Sequence, residues 1–110
     1  MGVSTADLLL DHVATWPSLR ASAAGRRVSF RTYGSQRALG TLDLGSGVLD
    51  VDMPPDVARG ILRSHPELSR SPTGLRVEVS DAEDLATAEW LLHRRVAVER
   101  YALQYRDGSP

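Results

Sequence analysis

Carboxylates form the densest group of reactive side chains in this sequence: Asp43, Asp50 and Asp52 stand close together, with Asp56 just beyond them. Oxygens on neighbouring strands could hold a hard cation or act as a paired acid and base. No calcium-loop spacing is present, however, and Arg31, Arg37 and Arg76 are available as cross-strand partners, so the pattern points first to a solvated or salt-bridged sheet face. His12, His65 and His93 are scattered, and none stands at zinc-helix spacing from a second ligand, so no metal site is expected. His93 falls with Ala86, Trp90 and Ala97 at successive spacings of three and four, on one face of a helix. Trp90 and His93 could line a pocket in which His93 shuttles a proton; the commoner use of such a pair is a packing edge or a subunit contact.

A second charged group is basic. Arg20, Arg26, Arg27, Arg31 and Arg37 lie in a segment without a single acid, which could follow a phosphate backbone or grip an anionic ligand. The segment that follows is acidic and the formal net charge of the chain is −1, so pairing between the two segments is the simpler expectation and nucleic-acid binding the lesser one. Gly45-Ser46-Gly47 lacks the third glycine of a dinucleotide fingerprint and the lysine of a phosphate loop, and is read as a turn. The serines have no nucleophile-elbow context. Without cysteine, disulfides, thiolate nucleophiles, iron–sulfur clusters and cysteine zinc sites are excluded.

These groups have to be carried by a single small core, since 110 residues are one domain's worth and leave no room for a separate cofactor domain. The expectation is one domain over residues 1–106, with 107–110 a disordered tail and no cofactor. All thirteen basic residues are arginine, which suggests GC-rich coding and an actinobacterial source. The start of the chain has only the short run Leu8 to Leu10, no basic leader and no long apolar stretch, so a cytoplasmic protein without a membrane span is expected.

Ser4 or Thr5 can cap a first helix running to about Trp16, with Asp7 in its first turn and Leu9, Val13 and Trp16 on one face. Pro17 ends it, and Ser18 to Gly25 reads as a loop. Val28 to Tyr33 alternates as a half-buried strand, and a second strand from about Arg37 to Leu44 puts Gly40, Leu42 and Leu44 on one face and Leu39, Thr41 and Asp43 on the other. The clearest strand follows the glycine turn, where Leu49, Val51 and Met53 alternate with Val48, Asp50 and Asp52. Pro54-Pro55 stops it and opens a short helix with Val57, Ile61 and Leu62 as its apolar stripe. Ser64 to Gly74 reads as a long surface loop, the expected place for binding, and Leu75 to Val79 as a fourth strand. Ser80 with Glu83 matches a capping box for a last helix. Its stripe is Leu85, Ala88, Leu91, Leu92 and Val96, with Arg94, Arg95 and Arg100 toward its negative end and fraying after about Tyr101.

The order α-β-β-β-α-β-α predicts an α+β fold, a four-stranded, mainly antiparallel sheet with helices on its apolar face. The other face would present Arg31, Tyr33, Thr41, Asp43, Asp50, Asp52, Arg76 and Glu78. Exposed sheet edges suggest a homodimer.

Trp16-Pro17, Gly47-Val48-Leu49-Asp50-Val51, Pro54, Thr73-Gly74, Glu83-Asp84 and Ala88-Glu89-Trp90-Leu91-Leu92 follow the order of motifs in small bacterial proteins of the luciferase-like domain family, and about two thirds of the chain resembles them. The resemblance implies a small bacterial domain and does not itself imply light emission. The family's glycine-histidine-x-histidine strand is replaced here by Gly40-Thr41-Leu42-Asp43, and its glycine-tryptophan-valine by Gly74-Leu75-Arg76-Val77, so no role resting on those histidines carries over. The leading expectation is therefore a non-catalytic binding or protein-interaction domain that uses the polar sheet face and the Ser64 to Gly74 loop. Its candidate contact residues are Arg31, Tyr33, Asp50, Asp52, Arg76, Trp90 and His93. The alternatives are a cofactor-free isomerase or cyclase, using His93, Tyr33 or a carboxylate as acid or base, and a weak nucleic-acid binder.

Overall fold

The computed structural model describes residues 4–33 and 37–107, with side chains described through Tyr101. Along the chain run α1 (Thr5–Ala14), β1 (Leu19–Ala24), β2 (Arg27–Thr32), β3 (Gly40–Asp43), β4 (Val48–Asp52), α2 (Pro55–Ser64), β5 (Ser69–Arg70), β6 (Gly74–Glu78) and α3 (Ala82–Asp107). The strands form one sheet in the order β1-β2-β3-β4-β6-β5, and every neighbouring pair is antiparallel. The α+β class and the antiparallel sheet agree with the sequence, but the sheet has six strands and not four.

Alternation in β2, β3, β4 and β6 sets the register, because a slip of one residue would turn each apolar row outward. Val28, Leu42, Leu49 and Val77 lie side by side across the four strands, as do Phe30, Gly40, Val51 and Leu75. Apart from Gly40 these residues belong to the core, which they share with Leu9 and Val13 of α1, Ala58 and Ile61 of α2, and Ala88, Leu91, Leu92 and Val96 of α3. All three helices thus cover the same sheet face.

The two additional strands lie at the edges. β1 occupies the segment expected to be a loop and pairs with β2 along its whole length, from Leu19 opposite Thr32 to Ala24 opposite Arg27. The two-residue Gly25-Arg26 connection closes this hairpin, with φ of 64° at Gly25, where a side chain would be strained. β5 is a two-residue strand within the expected 64–74 loop and pairs with β6. Leu39 also departs from expectation. It precedes β3 instead of lying within it, and its side chain is buried in the core and not on the face of Thr41 and Asp43.

Local hydrogen bonds fix the helix starts. Ser4 and Asp7 form the reciprocal capping box of α1. At α3 the cap is shifted by one residue from the expected Ser80–Glu83 pair: the Asp81 carboxylate accepts from the Asp84 amide, and the Asp84 carboxylate accepts from the Ser80 amide and hydroxyl. Those donors hold the Asp84 carboxyl below its ordinary pKa, the Ser80 hydroxyl contributing most. α3 continues past Tyr101 to Asp107, beyond the point where fraying was expected; residues 108–110, most of the expected tail, lie outside the described residues. Among the described residues no helix is long and apolar enough to cross a membrane.

Candidate functional site

The uncovered sheet face is built from the alternate residues of the same strands. Thr41, Asp50, Arg76 and Ser69 lie in register from β3 to β5, and Ser29 and Ser22 continue the row to β1. Asp50 is its hub. The carboxylate accepts from the Ser71 hydroxyl at 2.6 Å and from Arg76 at 3.2 Å, with the Thr73 hydroxyl at 3.5 Å. The Ser71 hydroxyl in turn accepts from the Gly74 amide at 3.1 Å. This chain of bonds holds the segment after β5 against the sheet, so the part of the expected loop nearest β6 is pinned by a side chain on β4.

Asp52 pairs with Arg37 at 3.1 Å. Asp43 has a local role instead: its carboxylate accepts from the Gly45 and Ser46 amides and shapes the turn to β4. The three acids are therefore committed to different partners, and among the described residues no group of three His, Cys, Asp or Glu side chains could hold a metal ion. At the other side of the same face, Arg31 of β2 lies opposite Arg20 of β1, and the Arg20 guanidinium stands 5.7 Å from the centroid of the Tyr33 ring. Tyr33 is 64% exposed. Charge on the face is thus divided, with arginines at β1 and β2 and the acids concentrated at β4.

Trp90 and His93 lie in the helical layer, so the sheet separates them from the other candidates. They also do not converge on one another. The His93 ring stacks on Trp16 at 3.8 Å, whereas Trp90 meets His65 at 4.3 Å, and each pair borders a different groove. His12 is held by Glu89 and His65 by Glu67; hydrogen bonds from its own backbone and from His65 lower the pKa of Glu67.

A cleft of about 490 Å³ opens where the sheet face ends, between the β4–α2 corner, the turn before β6 and the middle of α3. Met53, Pro54, Pro55, Ala58 and Pro72 provide its apolar wall, and Arg37, Arg70 and Arg95 its basic groups. Arg95 is only 8% exposed. Its Nε donates to the Asp52 carbonyl at 2.5 Å, and its Nη1 pairs with Glu99 at 3.1 Å. Among the described residues the buried polar side chains are Ser71 and Arg95; the sequence did not single out Ser71 and placed Arg95 only among the cations near the end of the last helix. For Arg95 a signal was present: it lies four residues after Leu91, on the apolar stripe, with an acid four residues further on.

Gly74 lets the cleft form. A Cβ at this position would collide with the Val51 carbonyl and the Met53 amide of the adjoining strand, so the turn can close on β4 only with glycine there.

In comparisons with known proteins, no family model, no curated protein and no solved structure matches the chain, and none of the three therefore bears on the resemblance to luciferase-like domain proteins.

Proposed function

We propose that this chain is a non-catalytic binding domain whose contact surface is the uncovered sheet face together with the Ser71–Gly74 turn. The carrying observation is the arrangement of layers: α1, α2 and α3 all pack on one face of a six-stranded sheet, while the other presents Arg31, Tyr33, Thr41 and Arg76 with no covering element among the described residues. Such a face would cost little to desolvate where polar groups are already paired, and Asp50 and Arg76 hold each other in place before any partner arrives. The divided charge of the face suits a partner of mixed charge, giving orientation more than raw affinity.

The acid–base alternative draws less support from the geometry, since Trp90 and His93 border separate grooves and Tyr33 projects into solvent. Nucleic-acid binding would rest on Arg20, Arg26, Arg27 and Arg31, because Arg37 is paired with Asp52 and the acids of β3 and β4 interrupt the basic area.

The test is partner capture by the tethered domain from extracts of its own cells. The double substitution Arg31→Ala and Arg76→Ala should reduce recovery of the captured protein at least tenfold while leaving the melting temperature within a few degrees of the parent, as expected for exposed side chains. Undiminished capture by the folded double variant would overturn the proposal.

A further inference from the structure

The cleft beside the sheet face has a chemistry of its own. Its apolar wall of Met53, Pro54, Pro55, Ala58 and Pro72 comes from three separate parts of the chain, and its volume of about 490 Å³ lies in the range of small-molecule sites. Polar groups at such a site set the orientation of the ligand. Here they are mainly guanidiniums, which match carboxylates by paired, charge-assisted hydrogen bonds.

Two of those guanidiniums have donors to spare. Arg95 uses Nε and Nη1 on the Asp52 carbonyl and Glu99. Its Nη2 makes no hydrogen bond among the described residues, and Arg95 lines the cleft. The Asp52 carbonyl and the Glu99 carboxylate fix this arginine in a single orientation. Arg70, on the edge strand β5, has no ion pair among the described residues and lines the same cleft. Arg37 is held by Asp52 and contributes field more than donors.

Charge decides the class of anion. Arg37, Arg70 and Arg95 face Asp52 in the lining, and Glu99 offsets Arg95 from behind, which leaves one positive charge in excess. A monoanion balances that excess, whereas a dianionic phosphate would overshoot it in a partly desolvated place. We infer that this cleft binds a small amphipathic carboxylate, its head between Arg70 and Arg95 and its apolar body against Met53 and the prolines. The inference rests on the reading of the chain as a binding domain but concerns the cleft, which shares the Ser71–Gly74 turn with that contact surface and contains neither Arg31 nor Arg76, so the two can fail separately.

The experiment is an NMR titration of the labelled full chain with octanoate, in parallel with 1-octanol, acetate and octyl phosphate. Octanoate should bind saturably at one site and shift the amide signals of Met53, Ala58 and Gly74. Octanol and acetate should each bind about tenfold or more weakly, since each lacks one half of the recognition, and octyl phosphate should bind no more tightly than octanoate. Arg70→Ala, at an exposed position, should weaken octanoate about tenfold, the scale of one lost charge-assisted hydrogen bond, whereas Arg63→Ala on α2 should change nothing. No saturable binding up to about 10 mM, equal binding of octanol and octanoate, or an Arg70→Ala variant that binds as the parent does would overturn the inference. Octyl phosphate binding tenfold more tightly would overturn the assignment to a carboxylate. The sheet-face variants Arg31→Ala and Arg76→Ala should leave octanoate binding intact, and failure of the face proposal would leave this result standing.

Discussion

Two glycines in this chain should respond to the same substitution with opposite signs. At Gly74 an added methyl would run into the backbone of β4, the Val51 carbonyl and the Met53 amide, and neither can give way without opening the β4–β6 ladder. The bonds at risk are the Met53 amide to the Thr73 carbonyl at 3.1 Å and the Gly74 amide to the Ser71 hydroxyl, also at 3.1 Å. Losing both, at ~1 kcal/mol each, and adding ~1–3 kcal/mol of overpacking gives ~3–5 kcal/mol for Gly74→Ala. For a domain of this size that corresponds to a fall in Tm of about 12–20 °C. Gly60 lies within α2, is exposed, and has nothing within 4 Å of where a Cβ would stand. There alanine lowers the entropy of the unfolded chain and improves helix propensity, so Gly60→Ala should gain ~1 kcal/mol, or about 4 °C in Tm. Thermal melts of the three proteins by circular dichroism and calorimetry under one buffer decide the matter. A Gly74→Ala variant melting within about 2 °C of the parent, or shifts of the same sign at both positions, would refute the close contact of the turn with β4 on which the cleft depends.

Other consequences can be tested on the same footing. Asp50→Ala removes the acceptor shared by Ser71 and Arg76 and should cost ~1–2 kcal/mol, while raising amide exchange at Gly74 more than at Leu49; uniform exchange would contradict the role of Asp50 as hub. Arg95→Leu deprives the Asp52 carbonyl and Glu99 of their partner and should destabilise by ~2–4 kcal/mol, with Glu99→Gln costing distinctly less, as denaturant melts would report. The Asp84 carboxyl is held below 3.8, its ordinary value. Its contribution to folding is therefore fully present above that pH and is lost as pH falls through the depressed value. Asp84→Asn should accordingly be less stable than the parent at pH 7 and converge with it in strong acid, and a gap that persists in strong acid would disprove the linkage.

What the sequence revealed, and what it hid, follows from where packing acts. Leu49, Val51 and Met53 alternate cleanly because β4 has a helical layer on one face and solvent on the other, so the pattern and the structure agree residue by residue. The same contrast made Val28 and Phe30, and Leu75 and Val77, legible. β1 gave no such signal: after Leu19 it is exposed on both faces, so nothing selects apolar residues at alternate positions, and Arg-Ala-Ser-Ala-Ala looks like a loop. β5 is too short to show a period. The Asp50–Arg76 pair could be anticipated from alternation alone, since like-facing residues on neighbouring strands must meet. Trp90 and His93 share a helix face in the sequence, but that their rings border different grooves was not legible there, because their aromatic partners, His65 and Trp16, come from distant parts of the chain. Arg95 was placed among the helix-end cations, when its spacing from Leu91 put it on the buried stripe.

The central claim is that the uncovered sheet face is where this domain meets its partner, and photo-crosslinking addresses it most directly. A photoreactive side chain would replace Thr41, at the middle of that face, and in a second protein Ala97, exposed on α3 in the helical layer; adducts formed in extracts of the protein's own cells are then mapped by mass spectrometry. Adducts from position 41 that disappear when Arg31 and Arg76 are also replaced, with none from position 97, are the predicted result. Adducts from position 97 with none from position 41 would contradict the account.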